Sequence, residues 1–190
     1  LECQLQQMKL AGIDGVIIDW YGIHDLNDYK LIHENTKKLV SVIKRAGLRF
    51  AICYEDRSVG EAVQKKVIKK EQTVAHALES LDWVAQNWFI DDAYLKIDGK
   101  PVLMVFGPMI LDEGKLKQVS EKINPKPVTF CLSHLKKSGG GDSSFAWPPV
   151  DGGRRVSDKQ WKKELGDLYR KEKSEIKPIP IAFPGYRDFY

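Results

Sequence analysis

The sequence predicts an α/β domain with a parallel sheet, and a (β/α)8 TIM-type barrel as its architecture. Three observations point there. A helix-to-strand join occurs twice, short unbroken apolar runs alternate with helical stretches, and small residues recur on alternate positions of several runs. Alternation of strands and helices is the signature of a parallel sheet covered by helices.

The first join runs from Lys9-Leu10-Ala11-Gly12-Ile13 into Gly15-Val16-Ile17-Ile18-Asp19-Trp20. The second runs from Lys44-Arg45-Ala46-Gly47-Leu48 into Phe50-Ala51-Ile52-Cys53-Tyr54-Glu55. Each glycine suits the left-handed position just past a helix end. Each apolar run that follows fits a strand buried on both faces. Between the joins, Leu31, Leu39, Val42, Ile43 and Ala46 share one helical face. A second helix is expected over Thr73–Trp88, with Val74, Leu78, Leu81, Ala85 and Trp88 inward.

Asp98-Gly99 marks a two-residue hairpin turn between Tyr94–Ile97 and the strand Pro101–Phe106. A helix is expected over Glu113–Lys122, a strand over Val128–Leu132 and a loop over Ser138–Asp142. A short strand, Ser144–Trp147, stops at Pro148-Pro149. Asp158–Lys173 reads as an amphipathic helix with Trp161, Leu165 and Leu168 inward, and Pro178–Phe183 as the last strand.

The open doubly wound sheet is the alternative to the barrel, but no Gly-x-Gly-x-x-Gly or phosphate-loop motif follows any strand. Strand parity favours the barrel. Ala51, Cys53 and Glu55 share one face, while Ile52 and Tyr54 share the other. Ala146 and Ala182 likewise alternate with bulky neighbours. A barrel interior accepts small side chains, with bulky ones packed against the outer helices. Six core strands are visible where such a barrel has eight. One strand is therefore expected before Leu1 and one after Tyr190, making residues 1–190 a single domain that is part of a larger catalytic unit.

The length of 190 residues, with 43% hydrophobic and 29% charged residues, fits one globular domain. The net charge of +4 is spread over interleaved lysines and acids. The cluster Lys65, Lys66, Lys69 and Lys70 is a solvated face, so no nucleic-acid partner is expected. No run is apolar for long enough to span a membrane, and no leader is visible ahead of Leu1. Cys3, Cys53 and Cys131 form neither a metal motif nor an even disulfide set. His24, His33, His76 and His134 lack paired metal spacing, so neither metal nor cofactor is expected. There is no Gly-x-Ser-x-Gly elbow, and adjacent Ser133-His134 is not a catalytic arrangement.

Polar and aromatic side chains gather where strands end: Asp19-Trp20-Tyr21, Tyr54-Glu55-Asp56-Arg57, Trp147 and Tyr186-Arg187. The C-terminal strand ends of a barrel build its active site. Carboxylates there hold hydroxyls or move protons, and flat aromatic faces with polar tips suit sugar rings. Glu55 ends an apolar strand, so it must be paired, solvated or functional. Arg57 fits either a ligand contact or an ion pair with Glu55, Asp19 either a site acid or a loop cap, and Trp20 and Trp147 either the cleft wall or the core.

The order of these stretches resembles the family 99 and family 71 glycoside hydrolases, the endo-α-mannosidase-type barrels. The resemblance rests on Ala11–Val16 running into Asp19-Trp20-Tyr21-Gly22, then Tyr54-Glu55-Asp56, then Tyr94–Val102, and finally Phe183-Pro184-Gly185-Tyr186. It implies a barrel acting on internal α-linkages of mannan- or glucan-type glycans, with an oligosaccharide or polysaccharide as partner and a secreted, periplasmic or cell-surface setting. Trp20 and Tyr21 would line the cleft and Glu55 would contact sugar. Family 99 carries its main acids in a Glu-Trp-x-x-Glu-like segment near the last strand. No such segment occurs here, so the catalytic residues stay unassigned, with Glu55 and Asp19 as supporting acids. The candidate substrate contacts are Trp20, Tyr21, Tyr54, Glu55, Arg57, Trp147, Tyr186 and Arg187. A non-hydrolytic carbohydrate-binding or polysaccharide-assembly barrel is the alternative.

Overall fold

The computed structural model of the chain describes residues 1–112, 114–132, 141–147, 150–151, 154–155, 157–171 and 176–179. Helix α1 (Glu2–Leu10) leads into strand β1 (Gly15–Trp20), and α2 (Tyr29–Arg45) into β2 (Arg49–Tyr54). Both joins close as the sequence predicts. Gly12 and Gly47 take φ of +84° and +70°, and Ile13 N and Leu48 N reach back to Met8 O and Ile43 O at 3.0 and 3.2 Å. These are the bonds that satisfy the last carbonyls of a helix ended by a left-handed residue.

After β2 come α3 (Arg57–Gln64), α4 (Thr73–Val84) and a π-turn over Ala85–Phe89. Strands β3 (Lys96–Ile97) and β4 (Lys100–Val105) form the expected hairpin, with Asp98 and Gly99 at φ +50° and +77°. Helix α5 (Lys115–Lys122), β5 (Val128–Leu132) and β6 (Ser143–Phe145) follow. A small antiparallel pair, β7 (Val150–Asp151) with β8 (Arg154–Arg155), and helix α6 (Asp158–Lys171) complete the elements. Ile179 bridges Phe145 in parallel, which places the start of the expected Pro178–Phe183 strand beside β6. Residues 180–183 of that strand, and the side chains of Trp161, Leu165 and Leu168, lie outside the described residues.

The main sheet runs β1-β2-β4-β5-β6, all parallel, with β3 added antiparallel to β4. Among the described residues its edges do not meet. Helices α2 and α4 cover one face. Ile18, Trp20, Ile52, Tyr54, Leu103 and Val105 point into that layer, with Ile43, Leu81, Val84 and Trp88 among the residues packed with them. The inward face of α2 is Tyr29, His33, Thr36, Val40 and Ile43, and Leu31 is 62% exposed rather than inward. The stripe passes through a histidine and a threonine, so apolar periodicity alone sets it slightly off. No helix among the described residues is long and apolar enough to cross a membrane.

Tyr94 closes the seam between β2 and β4. Phe50 pairs with the segment around Tyr94, and only from Ile52 onward does β2 pair with β4. The fully buried Tyr94 hydroxyl fills the gap, accepting from Ile52 N at 3.1 Å and donating to Val102 O at 2.8 Å. Tyr94→Phe leaves two buried main-chain groups unpaired, each worth about 1–3 kcal/mol. Urea unfolding should show a loss of at least about 2 kcal/mol with an unchanged m-value.

Candidate functional site

Because side chains alternate along a strand, the face opposite the helices carries the other parity. There, above the C-terminal ends of the strands, lies a cavity of about 480 Å³. Ile17, Asp19 and Tyr21 approach it from β1 and its end, and Cys53, Glu55 and Arg57 from β2. Met104 and Phe106 come from β4, Phe145, Ala146 and Trp147 from β6, and Ile179 from the segment beyond.

The polar groups form two local pairs. Tyr21 donates from its hydroxyl to Asp19 Oδ2 at 3.1 Å, and its ring stacks on Tyr29 at 4.9 Å. Arg57 donates through Nε to Glu55 Oε1 at 3.2 Å and through Nη2 to Oε2 at 3.4 Å. The Arg57 backbone N–H adds a bond to Oε1 at 3.3 Å. Glu55 is 3% exposed, whereas the Arg57 side chain is largely open to the cavity.

Asp19 stays exposed at the cavity, and partial loss of surrounding water raises its carboxyl above the ordinary range, against the Tyr21 bond, a Trp20 backbone bond and the Arg57 charge. Burial likewise raises Glu55, and the negative charge of Asp19 adds to the rise, while Arg57 holds it down. Burial also pushes up the Tyr21 hydroxyl and the Cys53 thiol, so Cys53 stays a neutral thiol in the wall. Among the described residues, no three His, Cys, Asp or Glu side chains gather as a metal site.

Trp147 is 46% exposed, and its ring meets Phe106 edge-on at 4.9 Å and 87°. That contact props an indole in the wall of the cavity. On the far side of Glu55, Asp56 is fully buried and starts α3. Its Oδ2 accepts from three consecutive backbone N–H groups, Met109, Ile110 and Leu111, at 2.7, 2.8 and 3.0 Å. This fastens the loop after β4 to the end of β2. Burial outweighs those amides and raises the Asp56 carboxyl. Gly107 is obligatory beside it, since a Cβ there would lie 2.5 Å from Asp56 Oδ1.

Two of the expected contacts are corrected. Trp20 and Tyr54 are 0% and 1% exposed and face the helices, not the cavity. Trp20 lies 6.1 Å from Tyr54 and 5.6 Å from Trp88, and also meets His33 and Trp83. The reason is parity: with Asp19 and Glu55 toward the cavity, the residues beside them must face the other way. Asp19, Tyr21, Glu55, Arg57 and Trp147 do converge. Tyr186 and Arg187 lie outside the described residues. Met104 and Phe106 escape a reading of the sequence because they sit in an apolar run. Their parity would have revealed them, since Met104 stands beside Cys53 in the sheet.

No family model matches the chain, and no curated protein matches it in sequence. Solved structures do match it in shape. A GH99 endo-α-mannosidase from Bacteroides thetaiotaomicron, in complex with bis-tris-propane, superposes with a TM-score of 0.61 at 11% identity over 93% of this chain. A second structure of the GH99 endo-α-mannosidase from that organism gives 0.58 at 12% over 93%. A glycoside hydrolase-like protein gives 0.59 at 12% over 94%. The fold is GH99-like. The chain spans only 51% to 61% of the length of these structures.

Removing Arg57 tests the electrostatics. In Arg57→Gln the Glu55 carboxyl should titrate higher than in the wild type, read from its carbon-13 shift against pH. The attraction exists only while Glu55 is ionised. The stability difference between the two proteins is thus present at neutral pH and vanishes as pH falls through the folded Glu55 pKa. With Arg57 largely exposed, that difference should be about 1 kcal/mol or less.

Proposed function

We propose that residues 1–190 form one domain, the greater part of a (β/α)8 barrel, and that its cavity binds an α-linked mannan- or glucan-type chain for cleavage at an internal bond. The observation that carries this reading is the company kept in one cavity. Two carboxylates with raised pKa, an arginine and an edge-supported indole converge at the C-terminal ends of parallel strands, where barrel enzymes place their sites. Two of the structures that match in shape are GH99 endo-α-mannosidases, and a third is a glycoside hydrolase-like protein. Further strands, beside β1 and beyond the Ile179 bridge on β6, would complete the ring.

In this reading Trp147 offers its face to the C–H side of a sugar ring. Asp19 accepts from sugar hydroxyls on the oxygen that Tyr21 leaves free. Glu55 is held by both oxygens on Arg57, so it orients and screens rather than donating a proton. Arg57 turns its unused N–H groups toward the glycan. The acid and base of a hydrolysis are assigned to no residue of this chain. Those bonds to Glu55 also favour the second reading, a barrel that binds or helps assemble polysaccharide without cutting it.

Titration with α-1,2- and α-1,6-linked mannooligosaccharides and α-glucooligosaccharides, followed by calorimetry and tryptophan emission, tests the binding claim. At least one series should bind. Trp147→Ala should weaken it about tenfold, or about 1.4 kcal/mol, and Asp19→Ala by a similar factor. If no series binds, or if both variants bind like the wild type, the glycan reading fails. Binding without released reducing ends would favour the non-hydrolytic barrel.

A further inference from the structure

The loop over residues 21–28 is fastened to α4 by an unusual contact. The imidazoles of His24 and His76 lie face to face, with centroids 3.6 Å apart and planes 16° from parallel. His24 Nε2 also lies 3.2 Å from the backbone carbonyl of His76, so it is the donor there. Beside this pair, Ile23 N donates to Ser80 Oγ at 3.4 Å. Gly22, at φ +103°, lets the chain pass so close that a Cβ would meet the same Ser80 Oγ at 2.8 Å. The loop therefore rests on one turn of α4, at His76 and Ser80. It carries Tyr21, which donates to Asp19 in the cavity.

The contact disfavours the protonated form of the His76 ring. His76 as a residue is 9% exposed, and its ring is stacked on a second imidazole. Burial first, and then the neighbouring His24, lower its pKa to about 4, against an opposing pull from Glu79. Two other polar groups of the loop are engaged elsewhere. Asp25 pairs with Lys30 of α2, and Asn27 is held by Glu61 of α3 and by Lys65 just beyond that helix. None of them sits as a counter-ion on His76 among the described residues.

We propose that the His24–His76 stack is an acid-sensitive latch: a proton taken from solvent by the His76 ring releases the 21–28 loop from α4 and withdraws Tyr21 from Asp19. The sign follows from linkage. A histidine whose pKa is lowered in the latched state binds more protons when released, so acid favours release. The effect begins below the ordinary value of 6.5 and is complete near 4. At pH 5 the released population should be about 30-fold larger than at pH 7.5. The latch stands on the geometry of the loop alone. Only its consequence, weaker glycan binding in acid, rests on the function proposed above.

Amide hydrogen exchange over residues 21–28, corrected for intrinsic rates, measures release without any ligand. In the wild type, protection should fall by tenfold or more between pH 7.5 and pH 5. In His76→Gln, which cannot take up the proton, it should stay within about twofold. Proton NMR of the His76 ring in the wild type supplies a reading free of any folding defect, with a midpoint expected well below 6.5. A midpoint near 6.5, unchanged wild-type protection at pH 5, or an equal fall in His76→Gln would each overturn the latch while leaving the glycan titration unaffected.

Discussion

Everything in this molecule follows from a sheet whose two faces have opposite tasks. Each strand sends alternate side chains to a helix-covered layer and to an open concavity. Trp20 and Asp19 are neighbours in sequence and separated by the whole thickness of the sheet, as are Tyr54 and Glu55. A slip of one residue in either strand would drive a carboxylate into the aromatic layer and an indole or phenol into water. The aromatic layer itself is dense: Trp20, Trp83, Trp88 and His33 meet one another with centroids between 4.4 and 6.5 Å. That packing fixes which residues are left to face the cavity.

Two buried polar groups then set how the strand ends sit. Tyr94 fills the place where β2 changes partner, and Asp56 gathers three amides of the loop that follows β4. An anionic oxygen receiving successive backbone N–H groups is a strong local restraint. It ties the end of β2, which carries Glu55 and Arg57, to the end of β4, which carries Phe106. Phe106 in turn supports Trp147 from β6. The walls of the cavity are thus linked across the strands by a carboxylate that never touches its interior.

Much of this could be read from the residues. The two glycine joins, the Asp98-Gly99 turn and the apolar runs all carry local signals strong enough to survive folding. The gathering of Asp19, Glu55, Arg57 and Trp147 was legible because a charged group that ends an apolar strand must meet a partner, water or a ligand. What escaped was the side to which each residue turns. Trp20 and Tyr54 look like cleft aromatics by position, yet parity relative to the adjacent acids sends them inward. Met104 and Phe106 look like core by composition, yet the same parity brings them to the cavity. The role of Asp56 depends on a loop 53 residues away, a contact that no local pattern encodes. The stacked histidines are equally remote, 52 residues apart.

The spacing of the polar pairs has one more consequence. Tyr21 serves Asp19 and Arg57 serves Glu55, and each donor lies two positions beyond its acceptor. Each acid therefore travels with its own screen, supplied by the same short stretch of chain. Neither pair needs a distant element to assemble. The hydrogen-bond partner of each carboxylate is thus local, while burial by the cavity walls and the charge of the facing pair set how far each acid is shifted.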